Sequence, residues 1–197
     1  MTKALFFDID GTLVSFETHA IPASTIEALT IAHEKGINAT GRPKAIINNL
    51  ADIQDRGLID GYITMNGAYC FVGDEVIYKS AIPAGEVRAL AQVCEQKGYP
   101  CIFVGEHTIS VCQPNKLVHD IFYDFLHVDE IPVKTFEEAV QEEIFQMTPF
   151  ITAEEEKEIQ SKQKYNLKFP IASPAVGSRL LQISRQKEIR SRKVSMK

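Results

Sequence analysis

Through the first 65 residues, short apolar runs alternate with helical stripes that proline opens and glycine closes, and this alternation leaves few architectures open. Ala4 to Phe7 is an all-apolar run of the kind that forms a central strand buried on both faces. Pro22 then opens a helix with an inner stripe of Ile26, Leu29 and Ala32, and Gly36 stands where it should end. The punctuation repeats. Pro43 begins a second helix with Ile46, Ile47, Leu50 and Ile53 on one side, and Gly57 follows it. Between the helices, Gly36 to Thr40 offers Ile37 and Ala39 as a curtailed second strand, and Tyr62 to Met65 reads as a third. Strand and helix in turn make an α/β protein with a Rossmann-like parallel sheet, not a bundle or a sandwich.

Beyond residue 67 the pattern changes to hairpins. Ala68 to Val72 and Glu75 to Lys79 flank Gly73-Asp74, while Cys101 to Val104 and Thr108 to Cys112 flank Gly105-Glu106-His107. A helix from Pro83 to Lys97 lies between them, with Val87, Leu90, Ala91 and Cys94 inward; Leu117, Val118, Ile121, Phe122 and Phe125 mark another. Two capping-box spacings, Thr135 to Glu138 and Thr152 to Glu155, start helices on either side of a strand at Ile144 to Ile151. At 197 residues and 45% hydrophobic, the chain has room for one domain with an insertion and too much apolar content for disorder. The expected organisation is an incomplete parallel core over residues 1–79, an inserted α+β cap over 80–172, and a basic tail over 173–197 where the rest of the core would lie.

The sharpest local signal is Asp8-Ile9-Asp10-Gly11-Thr12, directly after the first strand. Residues two apart at a strand end point to the same side, so both carboxylates face the crevice where open α/β sheets bind ligands. Two acids so close repel each other unless a cation sits between them, and a hard divalent ion such as Mg2+, which takes oxygen ligands, suits the pair. One carboxylate can then attack phosphorus while the other handles the proton of the leaving oxygen. Gly11 lets the backbone approach a phosphate and the Thr12 side chain can steady the turn. The competing reading is an acidic strand-to-loop turn with no ligand.

These residues resemble the first motif of the haloacid dehalogenase superfamily of phosphatases, in which the first Asp is the nucleophile and the second the general acid/base. Thr40-Gly41-Arg42-Pro43 is similar to the second motif, whose Thr holds the transferring phosphoryl group. Asn66-Gly67-Ala68 at the end of the third strand resembles the signature of the Cof-type subgroup, with a type-IIB α/β cap inserted where this chain switches to hairpins. The resemblance implies catalytic Asp8 and Asp10, a magnesium site on the Asp8 carboxylate and the Asp10 main-chain carbonyl, and phosphate held by Thr12, Thr40 and Gly41. It places Arg42 and Asn66 beside the substrate, a small phosphorylated metabolite such as a sugar phosphate. For Asn66 a turn cap, and for Arg42 a solvated charge at a helix start, are the competing readings.

The sequence departs from that family after the cap. The family's later Lys motif and its Gly-Asp-x-x-Asn-Asp-like loop are not in these 197 residues, and the last Asp is Asp129. From Arg179 onward seven Lys or Arg face one acid, Glu188, within a chain of net charge −5. This abrupt change suggests a truncated or frameshifted product, which reading the coding DNA past Lys168 in the other two frames tests. Weak or no turnover is the expectation, and a non-catalytic binding or interaction fragment is the alternative function. The tail has no aromatic residue to stack on a base, which argues against nucleic acid. One flank of the first strand should be an exposed apolar edge suited to self-association. The opening apolar run is too short for a signal peptide or a membrane span, and the four cysteines form no CxxC pair, so the reading is cytoplasmic with reduced thiols.

Overall fold

The computed structural model describes residues 5–9, 12–15, 17–34, 39–40, 50–125, 130–152, 155, 170–172, 179–181 and 183–184. Its first sheet runs in the order β1 (Phe6–Phe7), β2 (Ala39–Thr40), β3 (Gly61–Thr64), β4 (Tyr69–Val72), β5 (Glu75–Lys79). β1 pairs parallel with β2, and β2 with β3, while β4 and β5 extend the same sheet as an antiparallel meander. Two parallel neighbours need a crossover, and helices α1 (Ala23–His33) and α2 (Ala51–Gln54) supply it. Pro22 caps α1 as the punctuation predicts, but only Leu29 of the three-residue stripe is buried. Ile9, Leu13, Val14, Ile21, Leu29, Leu50, Ile53 and Leu58 pack into one apolar cluster on this side of the molecule.

The second sheet has the order β7 (Ile109–Cys112), β6 (Cys101–Gly105), β8 (Ile144–Ile151), β10 (Arg179–Leu181), β9 (Pro170–Ala172), with β11 (Ile183–Ser184) also on β8. Helix α3 (Ala84–Lys97) buries the four residues its periodicity predicts, Val87, Leu90, Ala91 and Cys94, and ends at Gly98 in the left-handed conformation. β8 is buried along its whole length because α3 covers one face and the first sheet's meander approaches the other. The capping box at Thr135 and Glu138 starts the short helix α5 (Phe136–Ala139). The reciprocal Thr152 and Glu155 bonds form as well, at 2.6 and 3.3 Å.

Three findings differ from the sequence reading. The first strand is not buried on both faces: β1 ends the sheet order, with Leu5 40% and Phe6 66% exposed, because among the described residues no strand pairs with its open side. The segment around Leu117 to Phe125 is not one α-helix but a short α4 (Lys116–Val118) running into a π-helix, His119–Phe125. Its apolar residues recur every four positions, and α4 still buries Val118 while the wider helix buries Ile121 and Phe122. Residues 179–181 and 183–184, read as part of the tail, pair antiparallel with β8 in the second sheet.

The two sheets share a core. Met65, Ala68, Tyr69 and Phe71 of the first pack with Ile102, Val104, Phe145 and Phe150 of the second.

Candidate active site

β1 places Phe7 opposite Thr40, so Asp8 emerges one residue past the paired strand, at its carboxyl end. Ile9, fully buried, turns the other way into the core. Its carbonyl accepts the N–H groups of Thr12, Leu13 and Val14 at 3.2, 3.0 and 2.9 Å, which folds the chain back at once and leaves the Asp8 carboxylate exposed. Thr12 lies exposed in that turn. Thr40 is held by its backbone between Phe7 and Tyr62, so the second expected phosphate holder stands one strand from Asp8. Adjacent strands lie about 4.8 Å apart, which puts the ends of β1 and β2 within reach of one small ligand. Asp10, Gly41 and Arg42 lie outside the described residues, as does the Gly11 backbone.

Asn66 follows β3 at the same end of the sheet. It sits in a tight turn, Met65–Gly67, where three consecutive residues have positive φ: Met65 at 50°, Asn66 at 55° and Gly67 at 86°. A buried methionine in the left-handed region is costly, and such strain persists only where surrounding contacts impose it. Here they do: the Thr64 hydroxyl donates to the Tyr69 carbonyl at 3.0 Å and the Ala68 N–H to the Met65 carbonyl at 3.1 Å. The turn leaves Asn66 exposed above a buried Met65. Asp8, Thr40 and Asn66 therefore stand at or just past the carboxyl ends of three adjacent parallel strands.

As a metal ligand, Asp8 fits: it is an exposed hard oxygen donor with no partner among the described residues. A second grouping, His119, Asp120 and Asp124, offers ligand atoms within 4.8 Å of one another on the π-helix. Lys116 already grips both oxygens of Asp120, at 2.7 and 2.6 Å, and supplies the cation there.

The periodicity reading missed a polar network beside the Asn66 turn. Tyr69, fully buried, donates its hydroxyl to Glu106 at 2.8 Å, and Lys79 donates to Glu106 at 2.7 Å and to Glu143 at 2.6 Å. Burial first, and the Glu106 carboxylate next, push the Tyr69 phenol up to about 12. The Lys79 ammonium holds the Glu106 carboxyl below the usual range, and Glu106 in turn raises Lys79. Nothing in local sequence pattern signals partners 37 residues apart.

The geometry is thus that of an α/β fold whose short parallel strands end at Asp8, Thr40 and the Asn66 turn, with a second, antiparallel sheet packed on the first. Residues 5–187 match the haloacid dehalogenase-like hydrolase family, and the chain belongs to it. It is 65% identical to the solved subclass IIB sugar phosphatase BT4131, with a TM-score of 0.82 over 93% of this chain and 70% of that one. A second structure, from work on a trigonal-bipyramidal intermediate in a phosphoryl-transfer superfamily, matches at 65% identity, with TM-score 0.83 and the same coverage. "Putative phosphatase YkrA" of Bacillus subtilis (strain 168) is 28% identical over 174 residues, 84% of this chain and 64% of the relative. The chain thus spans under two thirds of that curated relative's length. Among the described residues, no helix is long and apolar enough to cross a membrane.

Proposed function

We propose that this chain carries the substrate-side half of a magnesium-dependent phosphatase site for small phosphorylated metabolites, sugar phosphates in particular. The carrying observation is that Asp8 projects, exposed, from the end of β1 beside the end of β2 at Thr40. The 65%-identical sugar phosphatase supports the substrate class. In this reading an Asp8 carboxylate oxygen attacks phosphorus and the ester P–O bond breaks, leaving an aspartyl phosphate. Asp10 gives its proton to the departing alkoxide oxygen, and then takes one from the water that attacks phosphorus and releases inorganic phosphate and free Asp8. Thr12, Thr40 and the Gly41 backbone hold the phosphoryl oxygens, while Arg42 and Asn66 face the rest of the substrate. Bound magnesium, on Asp8 and the Asp10 carbonyl, would neutralise phosphate charge. A cytoplasmic location goes with this reading.

Turnover is expected to be weak, because the sequence holds no acid between Glu158 and Glu188 to complete the metal site. That same observation favours the second reading, a non-catalytic binding fragment. Phosphate release from sugar phosphates, with magnesium and with EDTA, decides between them. Asp8→Asn should lower any magnesium-dependent release by about a thousandfold or more. Robust release that survives this substitution contradicts the mechanism; ligand affinity unaffected by Asp8→Asn and by metal supports the binding fragment.

A further inference from the structure

We propose that Tyr69, Lys79, Glu106 and Glu143 form a polar clamp that fixes the second sheet against the first and, through the turn at Met65–Gly67, positions Asn66. In naming Asn66 as the group positioned, this rests on the function proposed above. The clamp itself stands on geometry alone.

Its members come from both sheets. Tyr69 opens β4 and Lys79 closes β5, whereas Glu106 lies in the turn between β6 and β7 and Glu143 immediately precedes β8. Glu106 accepts from the tyrosine hydroxyl at Oε1 and from the Lys79 ammonium at Oε2. The same ammonium reaches Glu143 and lies 5.5 Å from the centre of the Phe145 ring, which makes an edge contact with Tyr69. The loop of contacts is thus closed, with Glu106 holding both Tyr69 and Lys79 and Lys79 holding both carboxylates. Two backbone bonds run beside it: the Ser80 N–H donates to the Ala68 carbonyl and the Ile82 N–H to the Ile144 carbonyl, both at 2.8 Å.

The register puts this clamp at the site end of the sheet. Thr64 pairs with Tyr69 and Tyr69 with Lys79, so the clamp is level with the last residue of β3, two residues before Asn66. The bond from the Thr64 hydroxyl to the Tyr69 carbonyl then ties the strained turn to the tyrosine that Glu106 holds. His107 lies 3.4 Å from Glu106, and Glu142 is occupied by Lys134 and Thr108.

Residue-resolved amide hydrogen exchange on the full chain tests this with Glu106→Gln, Tyr69→Phe and Lys79→Met. Exchange at the Ala68, Ser80 and Ile82 amides should quicken roughly tenfold while the α3 amides of Leu90 to Cys94 keep wild-type protection. Lys79→Arg should restore most of the protection. Unchanged exchange in all three variants, or a loss spread evenly into α3, overturns the clamp. Where wild-type turnover is measurable, the variants should raise KM more than they lower kcat. Robust phosphate release that survives Asp8→Asn, beside the local exchange pattern, refutes the functional reading and leaves the clamp standing.

Discussion

Asp8 and Asn66 owe their exposure to the residues beside them, not to loose surroundings. Ile9 and Met65 are buried neighbours that anchor each bend, at 0% and 3% exposure, so each polar side chain is held out by an apolar one driven in. Gly67 completes the Asn66 bend at φ 86°, and a methyl group there would meet no atom within 4 Å. Gly67→Ala should therefore cost only backbone strain, about 1 kcal/mol, read as a lowered urea midpoint. The positions of Asp8, Thr40 and Asn66 at or just past strand ends were legible in the sequence, because short apolar runs mark those ends locally. The partnership of Tyr69 with Glu106 was not, since buried hydroxyls select their acceptors by proximity in space.

α3 and α5 show how far local pattern carries an element. The inward face of α3 and the capping box of α5 match their spacing because both depend on residues three or four apart. The π-helix at His119–Phe125 escaped, since spacing of four in a short run suits an α-helix as well as a wider one. The carboxylates that fasten these elements set the acid response. Lys79 and Tyr69 lower Glu106, Lys134 and Thr108 lower Glu142, and the Thr135 backbone lowers Glu138. A carboxyl depressed in the folded state stabilises it above the unfolded value, about 4.3, and that contribution fades as pH falls through the lower folded value. The urea midpoint should hold from pH 7 to about 5 and decline below about 4.3. Glu106→Gln should flatten the decline; an unchanged slope would show that its pairing contributes nothing to folding.

Taken together, the sheets form a body with one closed side and one open one. The shared cluster around Tyr69 and Phe145 closes the inner side, and β1 with Leu5 and Phe6 remains an edge among the described residues. An unpaired strand carrying exposed phenylalanine is a template for a second chain. Concentration-dependent association is expected in sedimentation velocity, and Phe6→Lys should shift it toward monomer by at least about tenfold in dissociation constant, since lysine on an edge strand resists pairing. Association that ignores this substitution would place the contact elsewhere.

The amino-acid order alone was enough for the alternation of strands and helices, the inward face of α3, the acidic strand tip and the family likeness. Each of these is written within a few neighbouring residues, where backbone geometry converts spacing directly into direction. It could not show that residues 179–181 and 183–184 pair with β8, that the two sheets share a core, or that Glu106 meets Tyr69 and Lys79. Those depend on which strand edges and polar groups come together after the chain has folded, and separation along the chain carries no record of that distance.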